Sequence, residues 1–167
     1  MKHKRSSTLG LALMLSIFCS WLPSKAENLS HNNQLVIEHA EILAPVGSSP
    51  MAAGYLVIWN GSSEAREITG IRLSSGTKMA FHKTVVQDGI ARMRSVELPY
   101  VIPSRSELIM RRGGYHLMFS TKKFDVNQQE DLVVVVEFAD GSVINAVATV
   151  QPFGTPVVGD RHGENGS

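Results

Sequence analysis

The chain has 167 residues, 43% of them hydrophobic and 19% charged, with a formal net charge of +1. That length suits one globular domain with tails, and it can bury a core without disulfide staples. The near-neutral total hides an uneven distribution: four of 16 basic residues and none of 15 acidic ones precede residue 27.

The first 26 residues read as a secretory signal. Lys2, Lys4 and Arg5 form a basic start, Leu9 to Leu22 an apolar run, and Ser24-Lys25-Ala26 puts small residues at −3 and −1. This pattern predicts cleavage after Ala26. The apolar run is too short to span a hydrocarbon core comfortably. Cys19 follows the bulky Phe18, where a lipobox requires a small residue, so export without a lipid anchor is expected. The expected mature chain holds twelve basic and fifteen acidic residues, a net charge of −3. This argues against a nucleic-acid binder, which would be basic and patterned. Cys19 is the only cysteine, so the mature chain has no thiol for disulfides, iron–sulfur clusters or redox exchange. No later apolar run approaches 18 residues, so the mature protein is not expected to span a membrane.

Residues 27–34 are a polar lead-in. Leu35 to Leu43 reads as a first strand, and residues 44–50 (APVGSSP) as a loop. Ala53 to Trp59 is an apolar, aromatic strand that stops at Asn60-Gly61-Ser62-Ser63, and Ala65 to Leu73 is another. Lys78 to Val86 and Ile90 to Val96 flank Asp88-Gly89. That pair signals a two-residue hairpin, because both turn residues must accept positive φ. Pro99 and Pro103 bracket a loop. Ser106 to Met110 and Tyr115 to Ser120 are short strands around Arg111-Arg112-Gly113-Gly114. Lys122 to Asp131 has room for one helical turn. Asp131 to Phe138, a turn at Asp140-Gly141, and Ser142 to Val150 complete the pattern. Seven to nine short strands without crossover helices predict an all-β sandwich or barrel over residues 35–151. From Pro152 the chain is rich in Gly and Pro and reads as a disordered tail.

Chemistry concentrates in two strands and a hairpin. His116-Leu117-Met118 puts an imidazole and a thioether on one strand face, because side chains alternate with period two. A two-residue Asp88-Gly89 turn pairs Gln87 with Ile90, Thr84 with Met93 and His82 with Ser95. His82 and Met93 are then diagonal neighbours on one face, about 7–8 Å apart at the backbone. A three-residue loop would reverse that parity. Two imidazoles and two thioethers select a soft metal. Thioether sulfur suits Cu(I) and offers little to Zn, Mg or Ca. Blue-copper electron transfer requires a thiolate, which is absent from the mature chain. Taken singly, a strand Met is ordinarily core filler and a His ordinarily a surface or structural residue. The joint placement of four is what points to metal. Met79 lies three residues before His82, hence on the opposite face, and is expected in the core. Met51 stands at a loop-to-strand junction where it could shield the site. His31 and His39 lie near the mature N-terminus, and His162 in the tail is expected to be solvated.

The order His82, ten residues, Met93, then His116-x-Met118 resembles the signature of the periplasmic copper chaperones of the PCuAC type. Residues 79–94 (MAFHKTVVQDGIARMR), 113–118 (GGYHLM) and 51–60 (MAAGYLVIWN) carry the likeness, which runs from about Val36 to Val150. Between Met93 and His116 lie 22 residues, one more than the family's usual spacing, and the Leu98 to Arg105 loop can absorb it. The resemblance implies a cupredoxin-like Greek-key β-sandwich with His82, Met93, His116 and Met118 as Cu(I) ligands. It also implies a periplasmic carrier rather than an enzyme. Its recipient would be the CuA centre of cytochrome c oxidase or a thioredoxin-like assembly factor. Rival readings are a metal-free adhesion or assembly sandwich and a copper storage or resistance protein. No nucleophile–base set or carboxylate pair suggests hydrolysis. N-terminal sequencing of the exported protein should begin at Glu27; a lipid-modified Cys19 at the N-terminus would refute the cleavage assignment.

Overall fold

A computed structural model of the protein describes residues 34–122, 126 and 132–156. Alternating apolar runs, each ended by a turn, form ten strands among these residues. They are β1 (Leu35–Leu43), β2 (Met51–Asn60), β3 (Arg66–Leu73), β4 (Ala80–Gln87), β5 (Ile90–Ser95), β6 (Tyr100–Ile102), β7 (Ser106–Ile109), β8 (Tyr115–Ser120), β9 (Leu132–Phe138) and β10 (Val143–Gln151). Their order is β5-β4-β8-β2-β1-β10-β9-β3-β6, with β7 pairing the distal half of β2.

One strand joins two layers. The first half of β10 pairs antiparallel with β9, from Val143↔Glu137 to Ala148↔Leu132. Its end pairs parallel with β1, from Glu41↔Thr149 to Leu43↔Gln151. One layer is thus β5-β4-β8-β2-β1 and the other β9-β3-β6. Their inner faces meet in a single core holding Ile42, Leu56, Ile58, Leu117 and Phe119 from the first layer and Ile68, Leu73, Val134 and Val136 from the second. The expected all-β sandwich is what forms. None of the described residues forms a helix long and apolar enough to cross a membrane.

Three details differ from the sequence reading. The stretch between Pro99 and Pro103 is not only loop: Tyr100–Ile102 pairs with β3 through Ile68↔Tyr100 and Arg66↔Ile102. Three β-favouring residues between prolines suffice for a short edge strand, where proline costs no ladder bond. The Asp140-Gly141 turn is a three-residue loop. Phe138 N donates to Ser142 O at 3.0 Å, and Gly141 alone takes a positive φ, +81°. Residues 152–156, at the start of the expected tail, are held in place. Arg112 Nη2 donates to Thr155 O at 2.7 Å, and the guanidinium lies 5.7 Å from the Phe153 ring centre. Of the helical turn allowed for at Lys122 to Asp131, all but Lys122 and Val126 lies outside the described residues.

Asn60 closes the top of the sandwich. It is fully buried, and its Nδ2 faces Glu64 O at 2.9 Å, Pro103 O at 2.9 Å and Ile102 O at 3.2 Å. Its Oδ1 accepts from Ser62 Oγ at 2.7 Å and Ser62 N at 3.2 Å. One side chain therefore ties the β2–β3 turn to the end of β6. Asn60→Ala leaves these groups unpaired in a dry site and should cost about 2–3 kcal/mol, read as a lower urea midpoint at unchanged m-value.

Candidate metal centre

The site is positioned by the registers of β4 with its two neighbours. Asp88 and Gly89 form the tip of the β4–β5 hairpin with φ of +54° and +72°, the primed turn that two-residue hairpins need. The ladder runs Gln87↔Ile90, Thr84↔Met93, His82↔Ser95, as the turn chemistry predicts. On its other side β4 meets β8 through Ala80↔Met118, Phe81↔Leu117, His82↔His116 and Lys83↔Tyr115. The sequence could not supply this second register, because residues 88–114 separate the two strands. It sets His82 directly opposite His116, with ring centres 5.8 Å apart.

Directly opposed residues share a sheet face, so His82, His116, Met118 and Met93 all lie on the face turned away from the core. On the inner face Phe81, Tyr115 and Tyr100 pack behind the histidines. Phe81 lies 5.2 Å from Tyr100 and 5.4 Å from Tyr115, and Tyr100 lies 5.6 Å from Tyr115. Burial, helped by a hydrogen bond to Tyr115, pushes the Tyr100 phenol up to about 12. The cluster clamps β4 and β8 together beneath the imidazoles and ties them to β6.

Each imidazole has a defined environment. His116 is 6% exposed, and its Nδ1 lies 3.0 Å from Gly114 O. A carbonyl can only accept, so Nδ1 carries the proton and Nε2 keeps its lone pair free. Metal-ligating histidines are commonly held this way. Gly114 O also accepts from Thr84 N at 3.0 Å, which fastens β4 at the same point. The Arg111–Gly114 turn that presents this carbonyl has Gly113 at φ +70°, and Gly114 N returns to Arg111 O at 3.0 Å. The Gly-Gly of residues 113–114 thus orients His116. His82 is half-buried, and its Nδ1 is buried without a hydrogen-bond partner. A lone polar nitrogen in a dry position normally costs stability, and a metal ion would satisfy it.

The two thioethers flank this pair from opposite sides. Met118 opposes Ala80 and Met93 opposes Thr84, two residues to either side of His82. On a flat sheet they would stand about 13 Å apart along the strands. The structure therefore brings His82, His116 and Met118 together on two adjacent strands. It leaves Met93 on the edge strand, 51% exposed. Beyond Lys83 the β4–β5 hairpin continues as a two-stranded ribbon, which twists more than a sheet interior. Met79 is buried in the core as expected, with its Cε 2.8 Å from where a Cβ on Gly54 would sit. Among the described residues no three His, Cys, Asp or Glu side chains converge, so the site has a third donor only if sulfur counts.

The comparisons agree with this architecture. A family model described as "Putative lipoprotein LpqE-like" matches residues 35–150, and the chain belongs to that family. "Putative lipoprotein Lxx21020" of Leifsonia xyli is 27% identical over 105 residues, covering 63% of each chain. RP573 of Rickettsia prowazekii is 22% identical over 110 residues, covering 64% of this chain and 61% of its own. The chain thus spans a little under two thirds of these relatives. Among solved structures, the copper-bound PCuAC domain from PmoF2 superposes with a TM-score of 0.53 at 19% identity, covering 70% of this chain and 91% of the domain. The solution structure of CuI-DR1885 from Deinococcus radiodurans gives 0.56 at 23% identity, covering 77% and 86%. The chain has the fold of the PCuAC domains, in accord with the resemblance read from its sequence.

Burial, and then the neighbouring His116, lowers the His82 pKa below its usual 6.5. In the metal-free protein the unfolded state then takes up a proton at His82 before the folded state does. Stability should be full above pH 6.5 and fall as pH drops from there through the folded pKa. His82→Gln should flatten that segment of the stability–pH curve. In an NMR titration His82 should protonate later on acidification than a free imidazole; a midpoint above 6.5 would contradict its desolvation.

Proposed function

We propose that this protein is an extracytoplasmic Cu(I) carrier that holds its cargo through His82, His116, Met118 and Met93. The observation that carries the reading is the opposed His82–His116 pair, with one imidazole fixed by Gly114 and the other holding an unpartnered buried nitrogen. Flanking thioethers make the donor set soft, which suits Cu(I) and disfavours hard divalent ions. Membership of the LpqE-like family, and a fold shared with PCuAC domains solved with copper, support the same reading. Signal-like residues 1–26 support export to the periplasm.

The four donors have unequal tasks. His116 is buried and pre-oriented, so it anchors the metal. His82 completes a two-imidazole base. Met118 closes the protected side. Met93, on the solvent-exposed edge strand, is the donor that a recipient displaces first. Ligand exchange then proceeds from thioether to the incoming donor, and it runs downhill when that donor is a thiolate, the stronger Cu(I) ligand. No redox change is needed, so the protein acts as a carrier rather than an enzyme. The resemblance to PCuAC chaperones directs the cargo toward the CuA centre of cytochrome c oxidase or a thioredoxin-like assembly factor.

An anaerobic Cu(I) titration against a chromogenic chelator tests this. One tight equivalent is expected. His116→Ala should weaken it by about 100-fold or more, beyond the 10–100-fold typical of groups that only support a ligand. Met93→Leu should cost less and should speed release to a thiol acceptor. Affinity should drop as pH falls through the imidazole range, because protonated histidine cannot bind. Binding indifferent to both substitutions would overturn the assignment.

A further inference from the structure

A fifth soft donor lies beside the proposed site. Met51 opens β2 and pairs with Ser120, while Ala53 pairs with Met118. Met51 and Met118 are therefore diagonal neighbours on the same outward face, about 7–8 Å apart at the backbone. Both line one cavity of ≈ 240 Å³, with Leu43, Ala53, Tyr55 and Phe153 among its walls. The local backbone is pinned on both strands. Met51 N donates to Ser49 Oγ at 3.2 Å, and Thr121 N donates to Pro50 O at 2.8 Å, so the start of β2 is fixed against the end of β8.

Packing does not explain Met51. It is 37% exposed, whereas Met79 and Met110, which do fill the core, are 4% and 0% exposed. Its place on β2, opposite Ser120, lies on the side of Met118 away from the histidines. The face thus carries a row of soft donors: Met93, the His82–His116 pair, Met118 and Met51.

Resting on the Cu(I) reading above, we infer that Met51 and Met118 form a second, weaker station for a soft monovalent cation. It shares Met118 with the main site and opens through the cavity. Two thioethers without imidazole hold Cu(I) less tightly than the mixed set. The Arg112 guanidinium at the cavity wall, set against Thr155 O and Phe153, further weakens a cation there. The gradient therefore runs from the cavity toward the histidines. An ion captured between Met51 and Met118 passes inward when Met118 turns to His116, two residues along the same strand. The metal then leaves from the opposite edge, at Met93.

The test uses the purified protein with 13C-methyl methionines, titrated anaerobically with Cu(I) and separately with Ag(I), a soft monovalent ion that stays redox-silent. The first equivalent should move the Met118 and Met93 methyl signals and leave Met51 in place. The second should move Met51 and Met118 together. Met51→Leu, a volume-conserving change at a half-exposed position, should abolish the second equivalent and keep the first. Met51 unmoved through two equivalents, or two equivalents retained in Met51→Leu, would overturn the second station while the main site stands. No first equivalent in the unsubstituted protein would instead overturn the Cu(I) reading itself.

Discussion

The site depends on one strand, β4, being held in register on both sides at once. Its pairing with β5 is local, set by two positive-φ residues at the hairpin tip. Its pairing with β8 is long-range, set by Phe81 and Leu117 entering the core together. A slip of one residue in either ladder would send His82 or its partner to the opposite face. The inner aromatic cluster of Phe81, Tyr100 and Tyr115 makes such a slip costly, because it would expel a ring from the core. A metal site built on a sheet face thus inherits its precision from the hydrophobic packing behind it.

The same arrangement divides the site into a buried and an exposed half. His116 is sealed by its neighbours and tied to Gly114, which in turn holds β4 through Thr84. All six residues of β5 are exposed, and it is the last strand of its layer. Arg92 and Arg94 on that edge discourage pairing with another strand, a common protection for exposed edges. They leave Met93 accessible without inviting aggregation. The proposed carrier role would use this asymmetry, since an ion held equally firmly on all sides would not be released.

Much of this was legible in the sequence, and the reasons are specific. Asp88-Gly89 gave the β4–β5 register residue by residue, because a two-residue primed turn allows one pairing only. The HLM triplet placed His116 and Met118 on one face by period two alone. Parity alone puts Met79 on the core face. What the sequence could not give was the His82–His116 opposition, which depends on contacts across more than thirty residues. The resemblance to the PCuAC chaperones implied that the two belong to one site, but not that they are paired across a ladder. The roles of Gly113 and Gly114 were visible only as a motif, and the structure supplies their physics as a turn and an aimed carbonyl. Strand β6 was hidden by its flanking prolines. Met51 was placed at the edge of the site, and its diagonal relation to Met118 required the β2–β8 ladder.

On the proposed reading one ion is bound by imidazole and thioether together. X-ray absorption at the copper edge of the Cu(I)-loaded protein tests it most directly. A mixed shell is expected, with imidazole scattering from two histidines and a sulfur contribution that falls when Met118 is replaced by leucine. A shell of nitrogen and oxygen alone, or a sulfur contribution unchanged by that replacement, would contradict it.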